Sequence, residues 1–158
     1  MTACSGGGGD GEDCPDGPCV SGFELTIAAA RGSEGSLQDG RFSQGLWTIV
    51  VEADGGVFEG TCDVSGADAE CTGGWTTPSE NNGDAGLRYQ HPFDLDSNDT
   101  AAFVFFTSES VPPLPEASTV VTFGGEVLLE DEWLMPDPAP DECTSCVPRI
   151  VRSASIRK

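Results

Sequence analysis

The sequence predicts an all-β protein, a disulfide-stapled β-sandwich of immunoglobulin-like or transthyretin-like architecture with seven to nine antiparallel strands. Three observations predict it. Short runs rich in β-branched and aromatic residues recur, separated by turn signals about every ten residues. Twenty-one Gly and eleven Pro fall largely between these runs, and no window carries a sustained apolar stripe of helical period. Six of the seven cysteines form close-spaced couples, Cys14 with Cys19, Cys62 with Cys71, and Cys143 with Cys146. The Cys…Trp…Cys spacing of true immunoglobulin domains is missing, so the expectation covers architecture alone. At 158 residues the chain is long enough for one domain with a real core.

Taken in order, residues 1–13 read as a flexible Gly- and Asp-rich tether, and residues 14–158 as a single sandwich domain. Cys14-Pro15-Asp16-Gly17-Pro18-Cys19 is a turn with a cysteine at each end. Phe23-Glu24-Leu25-Thr26-Ile27 alternates, with Phe23, Leu25 and Ile27 on one face, the mark of a half-buried strand. Residues 31–44 read as a loop with a short strand near Phe42. Both faces of Leu46–Glu52 are apolar, which places that strand centrally. Asp54-Gly55-Gly56 then turns the chain into Val57–Cys62, because these residues reach positive φ cheaply. A third strand follows at Glu70-Cys71. Residues 78–86 are a polar loop, and Leu87–Leu95 a strand interrupted at Pro92.

Ala101–Thr107 is the most apolar run and reads as a buried strand; seven residues alone do not distinguish it from a helical turn by periodicity. Pro112-Pro113-Leu114-Pro115 is a stiff connector. Ser118–Phe123 and Glu126–Leu134 are strands on either side of a bulge or turn at Gly124-Gly125. Residues 136–140, rich in Pro, break the chain again. Arg149–Arg157 closes it as a last strand with Ile150, Ala154 and Ile156 on one face.

The charge is lopsided: 27 Asp and Glu against seven Lys and Arg, a formal net −20. Such a surface repels phosphate backbones and anionic bilayers, which argues against nucleic acid as a partner and leaves a membrane reachable only through a lipid anchor. Four of the seven basic residues, Arg149, Arg152, Arg157 and Lys158, fall in the last ten positions. The simplest reading docks this basic tail as an edge strand on an acidic body; the sharper one is contact with an anionic partner there.

Clustered, nearly even cysteines in a Gly-rich acidic chain point to disulfides in an oxidising compartment. Local pairs are favoured, and Cys62–Cys71 above all, although a crossed pattern stapling the first strand to the last stays open. The odd cysteine is Cys4. Thr2-Ala3-Cys4 resembles the end of a bacterial lipoprotein processing site, where small residues precede a cysteine that receives lipid, although Met1 stands where an aliphatic residue is usual. By that resemblance Cys4 is the lipidation site and the chain is a mature form from which the signal peptide is absent. The run behind it would act as a coil spanning about 17–19 Å.

A wider resemblance rests on Phe23–Ile27, Gly45–Gly55, the Phe58…Cys62…Cys71 hairpin, and Cys143-Thr144-Ser145-Cys146 before the last strand. Together these look like small secreted lipoproteins of myxobacteria and related Gram-negative bacteria. The resemblance implies a stapled sandwich in the cell envelope, an outer-membrane or cell-surface lipoprotein. It implies no activity.

Chemistry-bearing patterns are sparse. Cys14, Cys19, Cys143 and Cys146 could supply four thiolates to zinc, but the first spacing is wide for a knuckle. Asp94, Asp96, Asn98 and Asp99 resemble the opening of a calcium loop, with oxygen ligands at alternating positions. Asp99 stands where Gly is needed and Phe105 where a bidentate Glu is needed, so an EF-hand is excluded and only a looser calcium site remains. His91 is the only histidine, and no serine sits in a nucleophile-elbow context. Paired carboxylates for glycoside cleavage cannot be singled out from so many acids. Trp47 reads as core, whereas Trp75 and Trp133 are candidates for an exposed sugar-stacking platform alongside Tyr89. The expected function is therefore a non-catalytic envelope domain, not an enzyme and without a cofactor, that plays a structural role or binds an extracellular protein or glycan. A calcium-assisted carbohydrate-binding or adhesion module is the alternative, and an envelope hydrolase using His91 the weakest.

Overall fold

A computed structural model describes residues 23–29, 41–53, 55–77, 84–91, 101–107, 116–134 and 150–156. They form nine strands: β1 (Phe23–Ala29), β2 (Gly45–Ala53), β3 (Gly56–Ser65), β4 (Asp68–Thr77), β5 (Ala85–Gln90), β6 (Ala102–Thr107), β7 (Glu116–Phe123), β8 (Glu126–Leu134) and β9 (Ile150–Ile156). Two sheets result, one of four strands in the order β5-β6-β1-β9 and one of five in the order β4-β3-β2-β7-β8. Their apolar faces pack together as a sandwich, the architecture read from the sequence.

Three two-residue turns set the register of the five-stranded sheet. Ala53 pairs with Gly56, Ser65 with Asp68, and Phe123 with Glu126. Gly55, Gly66 and the Gly124-Gly125 pair take positive φ in these turns. Left-handed geometry at both Gly124 and Gly125 matches the twist of the strands they join. Gly124-Gly125 is thus a hairpin turn, and the irregularity lies one step further on, where the β7–β8 register shifts between Val121 and Thr122.

The first and last strands depart from an all-antiparallel arrangement. β1 and β9 pair in parallel, from Phe23 with Ile150 to Ala29 with Ile156. Parallel neighbours need a long crossover, and here the whole intervening body supplies it. β9 is an edge strand, as expected of the basic C-terminal segment. Phe42, by contrast, belongs to no strand; it is buried, and its ring stacks on Phe103 at 4.0 Å.

Alternation decides what is inside. Leu25 and Ile27 of β1, Trp47, Ile49 and Val51 of β2, Phe58 of β3, Phe103 and Phe105 of β6 and Val121 of β7 are all at most 1% exposed. β2 lies at the middle of its sheet; its inner residues are buried, while Leu46, Thr48 and Val50 lie on the outer face. The Trp47 indole N–H donates to the Ser43 carbonyl at 2.8 Å, so the core's largest side chain is buried without an orphaned donor. A second aromatic group joins Phe58, Phe105 and Trp75 edge to face. Gly60 and Gly73 are opposite each other in β3 and β4, and the Phe58 ring fills the space their missing side chains leave.

Candidate functional site

Among the described residues, one covalent cross-link comes from strand pairing. Cys62 and Cys71 are directly opposite on β3 and β4, with Cα atoms 4.1 Å apart, and they form a disulfide. The Cα separation is that of a non-hydrogen-bonded antiparallel pair. Cys62 is fully buried, so the bond is a staple on the core side of the sheet. A disulfide in this position fits an oxidising compartment. Cys4, Cys14, Cys19, Cys143 and Cys146 lie outside the described residues, as do the calcium candidates Asp94, Asp96, Asn98 and Asp99.

A cleft of about 320 Å³ opens at the end of the five-stranded sheet. The β2–β3 turn contributes Gly55; the end of β2 contributes Glu52, the start of β7 Glu116 and Ser118, and the end of β8 Glu132, Trp133 and Leu134. All three carboxylates are exposed. Glu52, Ser118 and Glu132 are cross-strand neighbours on the outward face. The cleft has no histidine beside its serine, because His91 follows β5 in the other sheet. Such an arrangement can attract a cation; among the described lining residues it brings together carboxylates and one serine.

The two tryptophans proposed as a platform occupy opposite edge strands, Trp75 on β4 and Trp133 on β8. Four strand spacings, roughly 19 Å, separate those strands. Each indole is half-buried and packs against the core, so the pair does not form one continuous face. The Trp133 Nε1 is buried without a hydrogen-bond partner. His91 and Tyr89 lie together at the end of β5, with ring centroids 6.4 Å apart. The His91 Nε2 and the Tyr89 hydroxyl are also buried and unpartnered. Burial pushes the Tyr89 hydroxyl above its usual pKa near 10, with Arg41 opposing and Asp68 adding to the shift. Among the described residues, no three His, Cys, Asp or Glu side chains form a metal-holding group.

No family model, curated protein or solved structure matches this chain. The molecule's own chemistry therefore carries the reading.

That chemistry is most distinctive in how charge divides between the sheets. The five-stranded sheet carries Glu52 on β2, Glu59 and Asp63 on β3, Asp68 and Glu70 on β4, Glu116 on β7, and Glu126, Glu130, Asp131 and Glu132 on β8. Its strands contain no Lys, Arg or His. The four-stranded sheet carries only Glu24, Arg88 and Arg152 in its strands. The Arg88 guanidinium lies over the Phe106 ring at 4.4 Å on that sheet's outer face.

The signals that sequence reasoning missed are non-local. Three distant segments converge on the cleft, and only the β2–β7–β8 register brings Glu52, Ser118 and Glu132 into a row. The division of charge was visible residue by residue, but became a property of one sheet only once the strands were sorted.

Proposed function

We propose that this protein is a non-catalytic β-sandwich domain of the bacterial cell envelope, held to the membrane by lipid on Cys4 and a Gly- and Asp-rich tether. Outside the cytoplasm it serves a structural role or binds a partner. The Cys62–Cys71 bond carries the reading, since a cross-strand disulfide beside the core persists in an oxidising compartment. Thr2-Ala3-Cys4 and the glycine run behind it support the anchor. The formal charge of −20 favours a protein or glycan partner over a phosphate-bearing one.

The test is made in a Gram-negative host, behind a lipoprotein export signal. The chain should fractionate with membranes, its intact mass should include lipid, and Cys4→Ser should release it to the soluble fraction. Alkylation without reductant should leave Cys62 and Cys71 unmodified. Membrane association untouched by Cys4→Ser overturns the anchor; alkylation of both cysteines overturns the compartment.

A further inference from the structure

We propose that the outer face of the five-stranded sheet docks a cationic amphipathic helix of a partner protein, lying along β2 and β7. This rests on the partner-binding reading above and gives the partner a chemistry.

Sorted by register, the outer face is a trough of composition. Its floor is Leu46, Thr48 and Val50 on β2 beside Thr122, Val120 and Ser118 on β7. Exposed carboxylates stand on both sides, Glu59 and Asp63 on β3 and Glu130 and Glu132 on β8. In the central row, Val50 and Val120 sit between Glu59 and Glu130. The acidic columns are three strand spacings apart, roughly 14 Å. A helix with its side chains is about 10–12 Å across and fits between them. From Leu46 to Glu52 the floor runs roughly 20 Å, the length of a helix of about thirteen residues.

The occupant follows from charge and shape. An apolar helix stripe covers the valines, and Lys or Arg flanking that stripe on both sides meets a carboxylate column on each. Glu52 and Glu116 close one end, where their charge favours a helix N-terminus. Leu46 and Val127, two of the three exposed large hydrophobic residues among those described, lie on or beside this floor at 55% exposure each. A second copy of the chain is a poor occupant, because it brings a further −20 of charge and has no helix among its described residues. A single docked helix buries less than about 1,200 Å² in total, which belongs to weak, transient contacts.

The experiment titrates the intact protein by calorimetry with a synthetic 18-residue Leu/Lys amphipathic helix and with its Leu/Glu counterpart. The Lys peptide should bind with micromolar affinity that falls as salt rises, and the Glu peptide should not bind. Glu59→Lys with Glu130→Lys should weaken binding at least about tenfold, and Glu59→Gln with Glu130→Gln by less. The charge-matched pair Asp68→Lys and Asp84→Lys, off the floor, should change it less than about threefold. Val50→Asn with Val120→Asn leaves the charge intact and should still weaken binding. Equal loss from the on-floor and off-floor pairs overturns the proposal, since net charge then suffices. So does undiminished binding by the asparagine pair, or no binding of the Lys peptide. A chain that fractionates with membranes yet ignores the peptide keeps the envelope reading and loses this one; a chain that binds the peptide but carries no lipid does the reverse.

Discussion

Thr119 is fully buried in β7, and its hydroxyl has no hydrogen-bond partner. A desolvated orphan hydroxyl costs about 1–3 kcal/mol. Thr119→Val keeps the branched shape, and the expected outcome is a gain of about 1 kcal/mol, read as a higher urea midpoint at unchanged slope. A lower midpoint shows that the hydroxyl is satisfied after all. Gly60 and Gly73 make the opposite case. A Cβ on Gly73 meets the Phe58 ring at 2.6 Å and the Gly60 Cα at 2.9 Å. Gly73→Ala should therefore cost about 1–3 kcal/mol by overpacking, whereas Gly74→Ala, one residue on with open space around it, should cost much less. Tyr89 offers a pH readout, because it is the only tyrosine. Its folded pKa lies above the unfolded value, so the folded state holds the proton more tightly. The stability this contributes is complete below pH 10 and is lost as pH rises through the folded pKa. Tyrosinate absorbance should titrate later in the native protein than in urea. At this scale the alternation around Trp47 was legible, since neighbours two apart share a face. The half-buried state of Trp75 and Trp133 was not, because it depends on which strands form the edges.

Strands were the most legible elements, because β-branched runs between glycine turns encode their own limits. β4 was read too short at Glu70-Cys71; its Thr- and Gly-rich continuation to Thr77 carries little apolar signal and is held by pairing with β3. The parallel β1–β9 pair left no local trace, since its partners are more than a hundred residues apart. The Cys62–Cys71 pair was the one the sequence favoured most, because the two cysteines flank a turn between β-rich runs, and the structure forms it. Replacing both cysteines by Ala should cost about 2–3 kcal/mol for a loop of this size, checked by denaturation of oxidised protein against the double variant. β8 is an edge strand that places Asp131 opposite the buried Thr119, on its core-facing side. A charge so placed discourages a second sheet from adding there. Asp131→Val should promote self-association, visible by sedimentation at concentrations where the parent chain does not associate.

Among the described strands, acidity is concentrated on one sheet, and that sheet repels itself. Added salt should screen the repulsion and raise Tm by about 3 °C between dilute buffer and roughly 0.3 M NaCl. Fold class was legible at this scale because turn density and alternation are distributed properties. The candidate docking face was not, because its composition exists only after five strands are placed in order. The parallel pairing of the two outermost segments has a mechanical consequence as well. The chain enters β1 and leaves β9 at opposite ends of their shared seam. Tension applied between those two points drags the strands past one another in shear, so all seven paired positions must yield together instead of peeling open one by one. A domain pulled between those two points meets the load along the length of that seam.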